Sequence, residues 1–469
     1  MTPSRSYHIN TGAGPTFQVL DIGHPRYVAV VAPDTAFWAL VRKQSLAQAL
    51  SAPELIGQYR RKAAAFAREI EELRFGIKPT AVYFNATDRC NLDCAYCYIP
   101  TTTRRRGKHM PAPKLLDALE RLRRHFEATH PAVVLPQIVF HGAEPLLNRD
   151  AVFAGIDTYT GVFRFGIQTN ATLLDEPARK FLMSRGVSIG ISLDAPVAAI
   201  ADRTRRSWAG NGIYSRVVSA MEQLDGYPSW SVITTITRHN MRHLPQMVEF
   251  LHARHVPVAM LNVVRCTMPS ARLTKPSDHV AASHFLAALD RAYELYVQTG
   301  RKLVIANFAN TLAAIIAPTA RQLMCDISPC GAGRCFFALT ANGDVFPCSE
   351  FIGLSAFRSG NIFDEDLAVI LESEACRKVT GRRVEDIEPC RRCAIRHFCG
   401  APCPAEAHEV NGDVNRVGGF CEFYEEQVRY ALRTIADHKE QAFLWDGWDR
   451  DTTPSFAFGT GLPPDVSPS

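Results

Sequence analysis

From about residue 80 the chain alternates short apolar runs with stretches whose apolar residues recur every three or four positions. The runs AVYFNAT, QIVFHG, FRFGIQTN, VSIGISL, SVITTI and PVAMLNVV have strand length and β-branched or aromatic content. Amphipathic stretches near 112–128, 150–158, 175–185, 213–224 and 242–254 separate them and predict helices. Six strands separated by helices imply a parallel sheet with right-handed crossovers, either an open sheet or a partial (β/α)6 TIM-like barrel, over residues 79–265. Upstream, FQVLDIG, RYVAVVAP and FWALV predict strands and LAQALSAPELIGQYRRKAAAFAREIEELR predicts helix, so residues 1–78 read as a small α+β unit. A further helix near 278–300 dominates a linker over 266–325, and a cysteine-rich region follows over 326–438. Beyond it the sequence turns to Trp, Asp, Pro, Ser and Gly, which predicts a poorly ordered tail over 439–469.

Composition narrows the function class. With 469 residues, 47% of them apolar, the chain has material for a large core and two or three domains. The net charge of +5 falls short of the concentrated basic stripe of a nucleic-acid binder, so no nucleic-acid partner is expected. No stretch reaches the eighteen or so uninterrupted apolar residues that span a bilayer, and the N-terminus lacks a signal-peptide core, so the expectation is a soluble, cytoplasmic protein without a membrane partner.

Fourteen cysteines then need an explanation, because a reducing cytosol does not support a disulfide framework. Three lie at 90, 94 and 97, ten fall between 325 and 421, and Cys266 stands apart. The triplet C-x3-C-x2-C follows the first predicted barrel strand and brings three thiolates onto one loop without a local fourth. A structural zinc site and a ferredoxin cluster both use four ligands, so the triplet points to a [4Fe-4S] cluster with one open iron. HGAEP ends the second strand, QTNAT the third and SLDAP the fourth, at the C-terminal strand ends where parallel α/β folds place their chemistry.

CNLDCAYCY resembles the signature loop of radical S-adenosylmethionine (SAM) enzymes. The resemblance implies that Cys90, Cys94 and Cys97 hold a cluster whose open iron binds the methionine moiety of SAM. One electron, from a donor such as flavodoxin or ferredoxin, would then cleave the cofactor to a 5'-deoxyadenosyl radical that abstracts hydrogen from a substrate. FHGAEPLL is similar to the family's Gly-Gly-Glu-Pro motif, with Gly142, Glu144 and Pro145 matching and Ala143 replacing the second glycine. By that likeness Gly142, Ala143 and Glu144 receive the cofactor's ammonium, and Tyr96 takes the aromatic position near its adenine. Asn170 in QTNAT and Ser192 in SLDAP would bond its ribose or carboxylate, and Arg205 would pair with the carboxylate. The basic run RRRGKH at 104–109 reads as a solvated loop or a lure for an acidic peptide.

Cys330 to Cys348 reads C-x12-G-x4-C, and Cys390, Cys393, Cys399 and Cys403 read C-x2-C-x5-C-x3-C before Cys421. This order resembles the SPASM extension, which carries two auxiliary [4Fe-4S] clusters; two zinc sites are the competing reading. Seven cysteines leave one ligand missing, to be supplied by Cys335 or Cys325. The resemblance assigns Cys330, Cys335, Cys348 and Cys403 to the first cluster and Cys390, Cys393, Cys399 and Cys421 to the second, three clusters in all. Cys266, Cys325 and Cys376 remain as ordinary buried thiols.

The expected reaction is installation of a crosslink or oxidised residue in a ribosomally made peptide, with a peptide or protein as partner. Sulfatase-type maturation to formylglycine is the alternative. Maturases of that kind typically carry an aspartate after the cysteine corresponding to Cys348, where this chain has Ser349, so Glu350 is the candidate catalytic base. An iron-sulfur scaffold without radical chemistry is the reading from another class. Residues 16–75 would cap the barrel or hold a leader peptide as an added strand.

Overall fold

A computed structural model describes residues 6–10, 15–130, 135–317, 323, 325, 329–399 and 403–448. The N-terminal unit is an antiparallel sheet in the order β1 (Ser6–Asn10), β2 (Thr16–Leu20), β3 (Tyr27–Ala32) and β4 (Phe37–Arg42). The predicted single helix after it is two, Leu46–Leu50 and Pro53–Glu71. Pro53 has no N–H to donate and so opens a new helix at its first position instead of continuing the old one. Phe17, Val30, Leu50 and Leu55 give this unit its own apolar core.

All six predicted strands form: β5 (Ala81–Phe84), β6 (Gln137–Phe140), β7 (Arg164–Thr169), β8 (Ser188–Ser192), β9 (Trp230–Ile236) and β10 (Val258–Val263). Each pairs in parallel with the next, with helices such as Ala112–Thr129 and Arg149–Thr158 in the crossovers. β5 and β6 are buried on both faces, as a helix-covered parallel sheet requires.

The sheet runs further than the apolar pattern foretells. β11 (Val304–Ile305), inside the expected linker, extends it beyond β10, and β12 (Phe336–Leu339), in the cysteine-rich region, pairs in parallel with β5. β13 (Asp344–Phe346) and β14 (Gly360–Asn361) continue antiparallel from there, giving one ten-stranded open sheet. The two cysteine regions are therefore adjacent, joined through β5 and β12. Residues 439–448, expected within a disordered tail, fold back instead, because Phe443, Leu444 and Trp445 are apolar enough to bury against the core. Residues 449–469 lie outside the described ones.

The N-terminal unit sits on the C-terminal region. Trp38 Nε1 donates to the Ile315 carbonyl at 2.9 Å, Arg396 pairs with Asp34 at 2.6 Å, and Arg433 donates to the Ile22 carbonyl at 2.6 Å. No helix of the described residues is long and apolar enough to cross a membrane.

Candidate active site

The C-terminal ends of the parallel strands surround a cavity of about 410 Å³. Cys90, Cys94 and Cys97 line one part of it, and Cys325, Cys348 and Cys403 line another.

The loop after β5 is held in place by its neighbours. Cys90 N–H donates to the Arg104 carbonyl, Asp93 N–H to that of Arg206 and Ala95 N–H to that of Thr204. Arg104 is the residue that overturns the expectation of a solvated basic run. It is buried in the short helix Thr101–Arg106, and its guanidinium donates to the Ile99 and Leu92 carbonyls at 3.0 Å and to Asp93 at 3.3 Å. Trp208 Nε1 donates to the Cys90 carbonyl at 2.8 Å.

Among the described residues no three His, Cys, Asp or Glu side chains converge tightly enough for a single metal ion. A four-iron cluster makes a different demand, one thiolate at each of several separate irons. Three thiols on one wall of a cavity meet it. Burial, reinforced by Cys94, pushes Cys90 up to about 12, and burial pushes Cys97 up to about 11, so iron must displace their protons.

Glu144 is fully buried, and its carboxylate accepts from Thr169 Oγ1 at 2.8 Å, Asn170 N–H at 2.8 Å and Leu146 N–H at 3.1 Å. That leaves about one of its four lone-pair sites for a further donor. The carboxylate thus pins the ends of β6 and β7 together, while Gly142 and Ala143 line the cavity themselves. Gly142 has φ +101, and a Cβ there would lie 2.2 Å from the Asn85 side chain, so this position needs glycine. Ala143 does not have positive φ, and its methyl is compatible with the turn.

Asn170 lies across from the loop, its amide donating to Asn91 Oδ1 at 2.8 Å with Cys90 Sγ at 3.9 Å. Ser192 lines the cavity at the end of β8. Tyr96 donates to Asp194 at 2.6 Å and accepts from Arg205 at 2.6 Å, while Arg205 Nε is buried without a partner among the described residues. A guanidinium lining the cavity with an unsatisfied donor suits a cofactor carboxylate. Asp194, which also accepts from Thr204 and Thr235, went unmarked in SLDAP, since only contact with residues far along the chain reveals its part.

Cys348 is influenced by Cys325 and Cys330 besides its burial, and all three line the cavity. Cys335 does not line it; its side chain is fully buried in an apolar cluster that also holds Cys330, with Cys348 and Cys403 packed against it. Cys325 is exposed and not an ordinary buried thiol, whereas Cys266 and Cys376 are buried. Burial raises Cys390 to about 12, with Cys393 and Cys421 adding to it, which brings those three together. Two buried guanidiniums, Arg334 and Arg382, lie close to these thiols, and Arg382 feels Cys330, Cys403 and Cys390. Among the described residues Arg382 Nε and Nη2 and Arg334 Nη1 have no hydrogen-bond partner. Buried cations of this kind fit thiolate-bound, anionic clusters.

Glu350 occupies the space between the two regions. It lines the cavity, its Oε2 is buried without a partner among the described residues, and desolvation raises its carboxyl to about 7, with Arg265 and the Thr267 hydroxyl opposing and Glu406 reinforcing. Arg265, at the end of β10, donates to Tyr424 at 3.1 Å. Arg265, Tyr98 and His141, all cavity-lining, are residues sequence reasoning missed, because no local pattern marks them.

Comparison with known proteins supplies the family. Residues 84–251 match the Radical SAM superfamily, and residues 330–394 match SPASM, an iron-sulfur cluster-binding domain. An uncharacterized protein of Archaeoglobus fulgidus is 40% identical over 87% of this chain and 92% of its own. The cysteine-type anaerobic sulfatase-maturating enzyme of Clostridium perfringens is 23% identical over 74% of this chain and 94% of its own. The mycofactocin maturase MftC of Mycolicibacterium smegmatis is 26% identical over 72% and 81%. Among solved structures, native anSMEcpe with bound AdoMet superimposes with a TM-score of 0.65 at 20% identity, covering 77% of this chain and all of that one. The chain belongs to the radical SAM superfamily and carries a SPASM iron-sulfur cluster-binding domain.

Proposed function

We propose that the protein modifies a ribosomally made peptide, removing hydrogen from one residue and leaving a crosslink or an oxidised side chain. The observation that carries this reading is that one cavity is lined by Cys90, Cys94 and Cys97, by Cys348 and Cys403, and by Glu350. When bound, the clusters and SAM supply a 5'-deoxyadenosyl radical and an acceptor for one electron. We assign Cys90, Cys94 and Cys97 to the first cluster. Cys330, Cys348 and Cys403 hold the second, with Cys335, which shares their apolar cluster, or Cys325, which shares the cavity with Cys348, as the fourth ligand, and Cys390, Cys393, Cys399 and Cys421 hold the third. Gly142, Ala143, Asn170, Ser192 and Arg205 receive the cofactor, with Tyr96 and Asp194 orienting Arg205 and Glu144 fixing the strand ends. Glu350 accepts the proton that an oxidised substrate must shed, since its carboxyl titrates near neutrality and keeps a free oxygen. β1 and β4 are the edge strands of the N-terminal sheet, and a leader peptide would extend one of them.

A second reading, formylglycine formation on a sulfatase, is favoured by the likeness to the sulfatase-maturating enzyme and needs the same base. Anaerobic co-expression with each short neighbouring open reading frame, and separately with a sulfatase fragment, tests the choice by peptide mass spectrometry. A hydrogen loss in a neighbouring peptide that requires Cys90, Cys94 and Cys97 is expected. Formylglycine in the sulfatase with every neighbouring peptide unchanged would replace the first reading by the second.

A further inference from the structure

Cys90 also forms part of a second pocket, whose walls include Arg89, Arg105, Arg106, His109 and Trp208. It shares only Cys90 and Arg104 with the main cavity. Arg89, Arg105 and Arg106 are exposed, and among the described residues none of them takes part in an ion pair. Of the carboxylates along the loop, Asp93 is already paired with Arg104, and neither it nor Asp88 lines the pocket. Exposed like charges gathered without counter-charge repel one another, so the arrangement is not a device for stability. The half-buried Trp208 ring lies under this charge, with the Arg105 guanidinium 4.3 Å from its centroid, and its indole N–H is bonded to the Cys90 carbonyl.

We propose that this basic pocket docks an acidic one-electron donor protein and that Trp208 is a positioning residue for that encounter. The proposal rests on the reading of Cys90, Cys94 and Cys97 as cluster ligands. The step is a single electron transfer: the reduced donor loses one electron, the cluster gains it, and no proton or group moves. A peptide substrate is the other acidic partner to weigh. It must reach Glu350 in the main cavity, whereas an electron needs only to reach the Cys90 loop, where this pocket has its floor. A small charged patch without a large apolar surround suits the weak, steered encounters of electron-transfer proteins.

The test uses the full-length, iron-loaded protein under anaerobic conditions with reduced flavodoxin as the probe. Two quantities are read, bleaching of the cluster absorbance in stopped flow and equilibrium binding to immobilised flavodoxin. Replacing both residues, Arg105→Glu with Arg106→Glu, should slow flavodoxin-driven bleaching roughly 10-fold or more at low salt and weaken binding. High salt should erase most of the difference. Bleaching by dithionite should not change. A Trp208→Phe variant should slow the flavodoxin reaction while leaving its salt dependence intact, an outcome that charge loss does not give. Should the reversal variant fail to fold, Arg105→Gln with Arg106→Gln carries the same comparison with a smaller effect. Unchanged flavodoxin rates and affinity overturn the proposal, as does a loss confined to peptide binding, which would give the pocket to the substrate. Failure of the unaltered protein to cleave SAM even with dithionite would instead sink the functional reading itself.

Discussion

The two cysteine regions are braced to different degrees. Around Cys90, Cys94 and Cys97 nearly every brace is a hydrogen bond within the polypeptide: Arg104 on the loop carbonyls, Trp208 on Cys90, Glu144 across β6 and β7, Asp194 on Tyr96. Around Cys330, Cys348 and Cys390 the thiols lie among apolar side chains, and Arg334 and Arg382, although bonded to the Thr380, Arg382 and Pro329 carbonyls, keep three guanidinium donors without a partner among the described residues, where Arg205 in the first region keeps one. The first region is shaped before any metal arrives. The second leaves buried positive charge that the polypeptide does not neutralise, so its stability is tied to the metal.

Two arginine substitutions separate these cases most sharply. Arg104→Met strips hydrogen bonds from two carbonyls and a carboxylate, and we expect about 3–5 kcal/mol of lost stability with or without iron. Arg382→Met should lose a comparable amount only when the clusters are present. In the metal-free chain it should be neutral or stabilising, because a buried, poorly partnered cation is removed. Anaerobic denaturant unfolding of both forms reads the difference. Equal losses from Arg382→Met in the two forms would erase the contrast.

Glu350 lies where the regions meet, and its titration reports the dryness of the cavity. Its carboxyl is raised from 4.5 to about 7 in the folded chain, so the folded state holds a proton that the unfolded state releases as pH rises between those values. Stability therefore falls as pH climbs from about 4.5 to 7, by about 3 kcal/mol. Glu350→Gln should match the unaltered protein below pH 4.5 and exceed it by that amount above 7. The same variant should still yield 5'-deoxyadenosine but form product on the order of 100-fold more slowly, and the unaltered rate should rise with pH through about 7 as the base deprotonates. A Gln variant with full product formation would remove Glu350 from the chemistry.

The legibility of the molecule in its sequence follows the same division. Strands β5 to β10 and the cysteine spacings are local patterns, and the chain keeps them. What escaped depends on contacts between distant segments. β12 reads as an apolar run of a separate domain until it pairs with β5, and nothing local distinguishes Arg104 from Arg105 and Arg106, although only the first is buried. Cys325 and Cys335 stand equally near Cys330 in sequence, and only the fold sets Cys325 on the cavity with Cys348 and Cys335 behind it in the apolar cluster that Cys330, Cys348 and Cys403 share. Glu144 was legible as a motif residue, but its three internal donors come from Thr169, Asn170 and Leu146, so its part in fixing the strand ends was not.

The smallest expected effect tests how firmly the first region is over-determined. QTNAT and SLDAP each carry an alanine in the turn that follows the strand, but the two alanines differ in backbone. Ala171 has φ +61, a conformation that costs an L-residue about 1–2 kcal/mol, and its N–H is held by Thr169 Oγ1 at 3.0 Å. Ala195 has no positive φ and is fully buried. Replacing either by glycine loses a buried methyl, about 0.8 kcal/mol, and adds backbone freedom to the unfolded chain, about 0.4–1 kcal/mol. At 195 nothing offsets those losses, and Ala195→Gly should destabilise by about 1–2 kcal/mol. At 171 the relief of left-handed strain cancels them, so Ala171→Gly should stay within about 0.5 kcal/mol of the unaltered protein. The strain persists because Glu144, Thr169 and Asn170 fix the turn from three sides. Denaturant unfolding of the metal-free forms decides the matter, and equal losses at the two positions would mean that the turn at 171 relaxes away from its left-handed conformation in solution.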